Sequence, residues 1–568
     1  MRSSKKAGMT FIASLLCLLA MLVSACGSVA SPQGSGVSNA QPASADKQTF
    51  RWPVPGQADF TSLDPALIQD ASDNNAVQTI FTGLVQFDDK GNVKDQLAAS
   101  HSLSPDGTTY TFTLRPNLKF SDGTVLTAND VAYSINRTLQ PATQSPVTNY
   151  LNLLKDYDKM ITGKISTLIG DSLIVKDPQT ISIVISKPQA YFLQTLTYPT
   201  SYVVEKKLID KYGKSWTDHL TEGGGDGPFK VASYSHTVGL DLVPNSNYYG
   251  NKPKLAKIEM HISGDVNTTY KAYLSHQYDW AAVPTTLLAS AKQRPDYIRA
   301  PALVIRMVQL NYTVKPFDIL KIRQAFDVAL NRDLIATNLL RGVVTPTHRY
   351  IPVGMYGANP QEVKGPDGTT GTSGNSALAK QLLQQGLQDG GYSSIDKLPP
   401  IVITVSNAPN SLAVVNALTD QWKSVLGVTV RTNPVDPNKY DSIYGAGNLQ
   451  MWYYGWQADY PDPHDWLAIF FGKGQDYNNM HYGQNNTTMA AEQQAVQDQI
   501  VKADTITDPA ARAQTYNEIE LKLASETAWI PLYQSSANVL QSPKLHGFVN
   551  DPLGIIDPED WNNIYMLA

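Results

Sequence analysis

The chain has 568 residues, of which 42% are hydrophobic and 17% charged, and its formal net charge is −5. This length is too great for one hydrophobic core, and the apolar content excludes a disordered chain. The near balance of charges gives no strongly basic surface, so we expect no nucleic-acid partner.

The first 26 residues have the pattern of a secretory signal. A basic start precedes an apolar run at 9–23, and two small residues precede Cys26. This arrangement is typical of a bacterial lipobox, in which the thiol takes a diacylglycerol, and the run is short for a membrane span. We therefore predict a signal peptide at 1–25, lipidation of Cys26 and a flexible Ser-, Gly- and Pro-rich tether at 26–47. The other cysteine of the chain, Cys17, lies in the apolar run, so no disulfide framework is expected.

Strand and helix patterns alternate along the rest of the chain. Alternating apolar residues predict strands, and apolar residues spaced by three and four predict helices. In chain order they predict a strand at 49–52, a helix from Ser72 with Val77, Ile80, Phe81 and Leu84 on its apolar face, a strand at 109–114, a helix with a Thr127–Asp130 capping box, a hairpin at 173–186, a helix with Ile322, Phe326 and Leu330, a strand at 401–405, a helix at 412–425, a strand at 428–431, a helix at 511–523 and a strand at 529–533. This mixture indicates the α/β class with mixed sheets.

Motifs typical of enzymes are incomplete in this chain. The stretch 170–173 matches a short esterase signature, but no Asp-x-x-His occurs to supply a base for Ser172. The stretch 213–215 resembles the end of a phosphate loop, yet Leu208 stands where the loop requires its first glycine. The glycine-rich stretch 223–227 is typical of a mobile turn. We therefore expect no catalytic residues.

Metal and cofactor signals are equally weak. His464 has Asp462 and Asp465 nearby, which makes a metal conceivable, but the nine histidines form no zinc motif. We expect no cofactor and no metal.

The segment 451–463 is the most unusual in the chain, because two tryptophans and three tyrosines surround a glycine and Asp459. Strand propensity runs to Trp456, and Pro461 and Pro463 then end the strand, so Asp459 lies just past a strand end. A lone carboxylate is costly to bury among aromatic rings, and the ammonium group of a ligand would offset that cost and add cation–π attraction. The residues alone leave this role and a turn-capping role in an aromatic core strand equally open.

Further motifs follow one another across almost the whole chain after the signal. They are SLDP at 62–65, FTGL at 81–84, YTFTLRP at 110–116, FSDGT at 120–124, TANDV at 127–131, GPFK at 227–230, NYY at 247–249, IRQAF at 322–326, NRD at 331–333, GW at 455–456 and DY at 459–460. Each motif is weak alone. In this order and spacing the chain resembles the family-5 extracellular solute-binding proteins, the oligopeptide- and dipeptide-binding lipoproteins of ABC importers.

This resemblance implies an α/β fold of the periplasmic-binding-protein type, a type II two-lobed clamshell with an extra domain, which closes over its ligand. It places lobe I at 48–82, 184–300 and 536–568, the extra domain at 83–183 and lobe II at 301–535. It also implies an extracytoplasmic receptor, anchored to the membrane by its lipid and expected as a monomer. That receptor would deliver oligopeptides to an ABC permease and perform no reaction itself.

The resemblance further assigns the ligand-binding residues. At the place of Asp459, relatives hold a carboxylate that pairs with the peptide α-amino group, and Tyr150 matches an aromatic residue that lines the cleft. The peptide would be flanked by the backbone of Gly455, Trp456 and Gln457 and by the stretch 68–72, which includes Gln69 and Ala71. Ser411 and Tyr453 stand where long-peptide relatives use basic groups for the peptide carboxylate, and Gln69 stands where one relative carries an acid. How a ligand carboxylate is recognised is therefore open.

Three alternatives stay open at this point. The same fold binds sugar oligomers or nickel and haem chelates in other relatives, and Trp452, Trp456 and Trp466 could stack on sugars. A receptor of this kind could also present its ligand to a sensor instead of a permease. A cell-surface hydrolase would need a partner for Ser172 that the sequence does not supply.

Overall fold

The computed structural model describes residues 41–68, 71–88, 92–355, 357–475, 477–554 and 556–568. The predicted lipidation site Cys26 and the predicted ligand residue Gln69 lie outside these ranges. Ala71 is described in its backbone alone.

The described chain alternates strands and helices. The strands are β1 (Thr49–Pro55), β2 (Val85–Phe87), β3 (Val93–Asp95), β4 (Ala98–Leu103), β5 (Thr109–Leu114), β6 (Leu173–Asp177), β7 (Thr180–Val184), β8 (Phe229–Ser235), β9 (Gly239–Pro244), β10 (Lys257–Ser263), β11 (Trp280–Ala282), β12 (Tyr297–Leu310), β13 (Val344–Pro346), β14 (Ile401–Ser406), β15 (Val430–Val435), β16 (Met451–Gln457), β17 (Ile530–Gln541), β18 (Leu545–His546) and β19 (Tyr565–Met566). The α-helices are α1 (Ala71–Ile80), α2 (Ala128–Leu139), α3 (Tyr157–Ile161), α4 (Phe192–Thr195), α5 (Lys206–Tyr212), α6 (Val266–Leu274), α7 (Leu288–Ala291), α8 (Leu320–Val328), α9 (Arg332–Leu334), α10 (Ser376–Asp389), α11 (Pro409–Leu426), α12 (Pro437–Gly445), α13 (His464–Phe471), α14 (Ala490–Ala503) and α15 (Pro509–Ser525). Short 3-10 turns at 45–47, 148–151, 199–201, 213–219, 285–287, 395–397 and 560–562 connect them, and α9 continues into a π-helical turn at 335–339.

The first sheet has the order β1-β10-β9-β8, with β1 parallel to β10 and the other pairs antiparallel. Its core gathers Phe50 and Val54 of β1, Val77 of α1 and Trp561 near the C-terminus. The first and last described parts of the chain therefore share one core.

Helix α1 is shorter than the periodicity predicts. It ends at Ile80, so Phe81 and Leu84 lie beyond it, although both are buried. The cause is Asp226, whose carboxylate accepts a hydrogen bond from the Thr82 backbone N–H at 2.9 Å and so turns that donor away from the helix.

The glycine-rich stretch 223–227 is buried, which corrects the expectation of a mobile turn. Gly227 donates its N–H to the carbonyl of Ile80 at 2.7 Å. A Cβ on Gly227 would lie 2.6 Å from the Ile80 carbonyl carbon, so the close approach of these two backbones requires glycine.

The second sheet, β4-β5-β7-β6, is antiparallel throughout. Tyr110, Phe112 and Leu114 of β5 point into one core, as their alternation predicts. Helix α2 packs on this sheet and begins with the predicted capping box, in which the Thr127 N–H donates to the Asp130 carboxylate at 2.8 Å. The hairpin predicted at 173–186 is formed by β6 and β7.

The third sheet is the largest and has the order β11-β17-β12-β16-β14-β15, with β13 added beside β17. Separate cores cover its two faces. Its long strands β12 and β17 pair along most of their length, and the predicted lobe boundaries at 300/301 and 535/536 fall inside them. The ends of two strands differ from the sequence prediction: β15 spans Val430–Val435 instead of 428–431, and β17 spans Ile530–Gln541 instead of 529–533.

Across the described ranges, no helix has both the length and the apolar character that crossing a membrane requires.

Candidate ligand-binding site

Strand β16 carries the aromatic segment into the middle of the third sheet, between β12 and β14. Its inner residues Trp452 and Tyr453 are buried on opposite faces, while Trp456 and Gly455 are half-buried and Gln457 is exposed. The strand therefore leaves the core as it approaches its end.

Asp459 lies between the end of β16 and the start of α13. Its backbone N–H donates to the carboxylate of Asp465 at 2.8 Å, and the indole N–H of Trp456 donates to the same oxygen at 3.2 Å. Asp465 is 1% exposed and lies in the first turn of α13, where a carboxylate is favoured by the helix dipole. Asp465 thus fixes the backbone around Asp459.

A cavity of about 130 Å³ opens at this point. Its walls come from two distant parts of the chain, one at 149–195 and one at 456–477. The lining residues are Asn149, Tyr150, Asn152, Tyr191, Thr195, Trp456, Asp459, Tyr460, His464, Asp465, Ile469, Gln475 and Tyr477. The cavity therefore combines aromatic rings with polar groups and two carboxylates, which suits a ligand that carries a positive charge.

The carboxylates at the cavity carry raised pKa values. Burial raises the pKa of Asp459 to about 6, and a hydrogen bond from the Tyr150 hydroxyl opposes this. Burial, and then the charge of Asp459, raise the pKa of Asp465. Tyr150 is 7% exposed and its pKa is raised by burial and then by the Asp459 charge. A cation bound against Asp459 would relieve this cost of burying negative charge.

The polar residues beside the cavity are paired within the chain. Asp462 accepts two hydrogen bonds from the Arg512 guanidinium, one of them at 2.8 Å, and the His464 ring lies 2.9 Å from the Asp504 carboxylate. Among the described residues, no group of histidines, cysteines and acids is arranged to hold a metal ion. His464 instead stacks on Tyr191 with the ring centroids 3.7 Å apart.

The predicted site residues fall into two groups. Tyr150, Trp456 and Asp459 line the cavity together, and the adjoining β16 residues Gly455 and Gln457 are half-buried and exposed. Tyr453 lies apart from them, 5% exposed, with its hydroxyl 2.6 Å from that of Tyr533.

The other predicted residues do not line this cavity. Ser411 is half-buried in the first turn of α11. Ala71 begins α1. Ser172, the residue of the esterase-like motif, is buried and donates its hydroxyl to the carbonyl of Lys155.

Sequence reasoning missed the supporting role of Asp465 and the contributions of Asn149, Asn152 and Tyr191. The spacing of Asp459 and Asp465 across two prolines was a usable signal, because a carboxylate in a first helical turn can bind the N–H groups just before it. The residues at 149–191 gave no local signal, because only the fold brings them to β16.

The sequence model of the bacterial extracellular solute-binding proteins, family 5 (middle part), matches residues 92–478. The oligopeptide-binding protein OppA of Bacillus subtilis (strain 168) is 27% identical over 552 residues, which cover 95% of this chain and 96% of that protein. A dipeptide-binding protein of Lactococcus lactis subsp. cremoris (strain MG1363) is 27% identical over 563 residues, covering 96% of both.

Solved structures share the fold. The periplasmic murein tripeptide-binding protein MppA in its unliganded open form has a TM-score of 0.77 at 24% identity, covering 92% of this chain and 98% of that one. The periplasmic oligopeptide-binding protein OppAIV of Borrelia burgdorferi has a TM-score of 0.66 at 26% identity, covering 89% and 97%. These similarities confirm the predicted α/β clamshell class.

The family match covers well over half of the chain, and the relatives align over nearly their full length. The family consists of extracytoplasmic solute receptors, which confirms the prediction that this chain is not an enzyme. The protein therefore belongs to the bacterial extracellular solute-binding proteins of family 5.

Proposed function

We propose that the protein is a lipid-anchored extracytoplasmic receptor that binds oligopeptides between two lobes and delivers them to an ABC permease. The observation that carries the proposal is the half-buried carboxylate of Asp459, which lines a cavity together with Tyr150 and Trp456 and accepts a hydrogen bond from the Tyr150 hydroxyl. Oligopeptide- and dipeptide-binding proteins among the relatives support the ligand class.

The chemistry of the cavity fits a peptide N-terminus. An α-amino group is an ammonium near neutral pH and would form a charge-assisted hydrogen bond with Asp459. Main-chain groups at the exposed end of β16 are available to pair with an extended ligand. Such pairing would bind a peptide through its backbone, whatever its side chains.

The proposed organisation follows the sequence prediction. Lobe I consists of 48–82, 184–300 and 536–568, the extra domain of 83–183 and lobe II of 301–535, and β12 and β17 connect the lobes. Cys26 carries the lipid, and the receptor acts as a monomer.

The first experiment is native mass spectrometry of the chain from residue 27 onward, with release and sequencing of what co-purifies. We expect a mixture of peptides. A single sugar or chelate mass, or a protein that binds no added peptide, would contradict the proposal.

The second experiment replaces Asp459 by Asn, which keeps the shape and removes the charge. We expect affinity for a co-purified peptide to fall more than 100-fold by calorimetry, since leaving one partner of a buried ion pair alone costs about 3 kcal/mol or more. N-acetylation of the peptide should weaken wild-type binding in the same way and leave the variant's binding unchanged.

The matched control is Asp420→Asn, because Asp420 is exposed on α11 away from the cavity. This variant should bind like the wild type. Unchanged affinity in Asp459→Asn would remove the proposed role of this carboxylate.

A further inference from the structure

Arg306 differs from the other arginines that are shielded from solvent. Its side chain is half-buried in β12, and it makes no hydrogen bond or ion pair with any described residue. The other buried or half-buried arginines all donate to a carboxylate or a carbonyl of the chain: Arg51, Arg115, Arg137, Arg323, Arg332, Arg349 and Arg512.

The position of Arg306 is fixed by its neighbours in the third sheet. It pairs with Gly455 of β16 on one side and with Tyr533 of β17 on the other. A Cβ on Gly455 would lie 2.3 Å from Nη1 and 2.6 Å from Cζ of Arg306, so the guanidinium lies directly over the glycine backbone. Only glycine at 455 leaves this space.

Two tyrosines form the adjacent surface. The hydroxyls of Tyr453 and Tyr533 bond to each other at 2.6 Å, so each has a partner without Arg306. Burial raises the pKa of both hydroxyls, and the nearby charge of Arg306 opposes that rise. The guanidinium is thus close to both rings while its own donors stay available.

The half-buried guanidinium of Arg306 has five N–H donors in a planar fork, and these can bind a group that enters from solvent. The ligand group that matches this fork is a carboxylate, which can accept two parallel hydrogen bonds. Gly455 lies near the end of β16 and Asp459 follows two residues after that end, so the guanidinium over Gly455 and the Asp459 carboxylate lie near the same end of the strand.

This inference rests on the proposed peptide function and deepens it. We infer that Arg306 receives the α-carboxylate of a short peptide whose α-amino group is held by Asp459. Four residue steps separate Gly455 from Asp459, so their Cα atoms are at most about 13 Å apart at roughly 3.3 Å per step. An extended peptide has the same rise, so we expect the pair of charges to favour short peptides of about three or four residues.

The test uses degenerate tripeptide mixtures, because the preferred side chains are unknown. One mixture has free C-termini and the other has C-terminal amides, and native mass spectrometry measures how much of each the protein retains. We expect the wild type to prefer the free carboxylate by tenfold or more. Arg306→Met should lose that preference and still discriminate against N-acetylated peptides, which depends on Asp459.

Three further variants control for folding and charge. Arg431→Met removes an exposed arginine of β15 and should keep the wild-type preference. Arg306→Lys should restore part of it, because the charge remains without the planar fork. Gly455→Ala should reduce it, because the added Cβ displaces the guanidinium.

A length series from two to six residues completes the test. The preference for the free carboxylate should be greatest at three or four residues and should disappear in longer peptides. Equal retention of acid and amide by the wild type, or a preference that survives Arg306→Met, would overturn the inference while leaving the peptide function in place. A wild type that retains no peptide would instead contradict the proposed function itself.

Discussion

The Asp459 carboxylate is partly shielded from water, which disfavours its charged form. Its backbone is anchored by Asp465, its side chain meets the Tyr150 hydroxyl, and burial raises its pKa to about 6. Asp465 cannot supply the balancing charge, because it is itself an acid with a raised pKa. A ligand ammonium would lower the pKa of Asp459 on binding, and this couples affinity to pH.

We therefore expect peptide affinity to fall on both sides of neutrality. As pH decreases through about 6, Asp459 takes up a proton in the free protein and loses its attraction for the ammonium group. As pH increases through about 8, the peptide α-amino group loses its proton. Calorimetry from pH 4.5 to pH 9 should give a bell-shaped profile.

The control for this profile is Asp459→Asn, whose affinity should be flat between pH 5 and pH 7. Tyr150, Asp465 and His464 also line the cavity, so an acidic limb that persists in the variant would show that a group other than Asp459 titrates. That result would contradict the assignment to Asp459.

At the scale of elements, Asp226 joins the end of α1 to the glycine-rich segment that precedes β8. It is 1% exposed, and both the backbone N–H and the hydroxyl of Thr82 donate to its carboxylate. Burial raises its pKa to about 7 despite these hydrogen bonds. The folded protein thus keeps a proton on Asp226 at a pH where the unfolded chain has released it.

This raised pKa predicts the effect of Asp226→Asn on stability. The free energy of unfolding of the wild type decreases as pH increases from about 4 to about 7, because the unfolded chain gains stability by ionising this acid while the folded protein keeps it protonated. The variant has no such loss, and its amide oxygen can still accept from the Thr82 N–H. We expect it to be more stable than the wild type by about 2 to 4 kcal/mol at pH 8 and by much less at pH 5.

Urea unfolding at the two pH values measures this difference. Asp420→Asn, which changes an exposed acid, should show no such dependence on pH. A variant that is equally destabilised at both pH values would show that the hydrogen bonds of Asp226 outweigh its ionisation.

The elements that the sequence predicts well are those whose signals are local. The alternation of Tyr110, Phe112 and Leu114 and the capping box at Thr127 need no information from elsewhere in the chain. The end of α1 was predicted too late because its terminator, Asp226, lies 144 residues beyond Thr82. The same limit applies to the site. Asp459 could be recognised from the aromatic residues around it, whereas the role inferred for Arg306 depends on its pairing with Gly455 of β16.

At the scale of the whole molecule, the segments that form the two walls of the cavity, 149–195 and 456–477, contact each other beside it. The Tyr191 ring stacks on His464, and the backbone N–H of Ala190 donates to the carbonyl of Asp504 at 2.7 Å. In the proposed organisation these contacts connect lobe I with lobe II. A contact that forms only when the lobes close stabilises the closed form. It therefore increases ligand affinity, because the ligand binds most tightly to that form.

Replacing Tyr191 by Leu should therefore weaken the binding of every peptide to a similar degree, by about fivefold, since an aromatic stack contributes about 1 kcal/mol. Calorimetry would measure the affinities, and small-angle scattering should show that more peptide is needed to reach the compact state.

Tyr191→Phe keeps the ring and should bind like the wild type. The uniform loss separates this contact from Arg306, whose removal should affect only peptides with a free carboxylate. If Tyr191→Leu binds all peptides with wild-type affinity, the stack is present in the open and closed forms alike and does not contribute to closure.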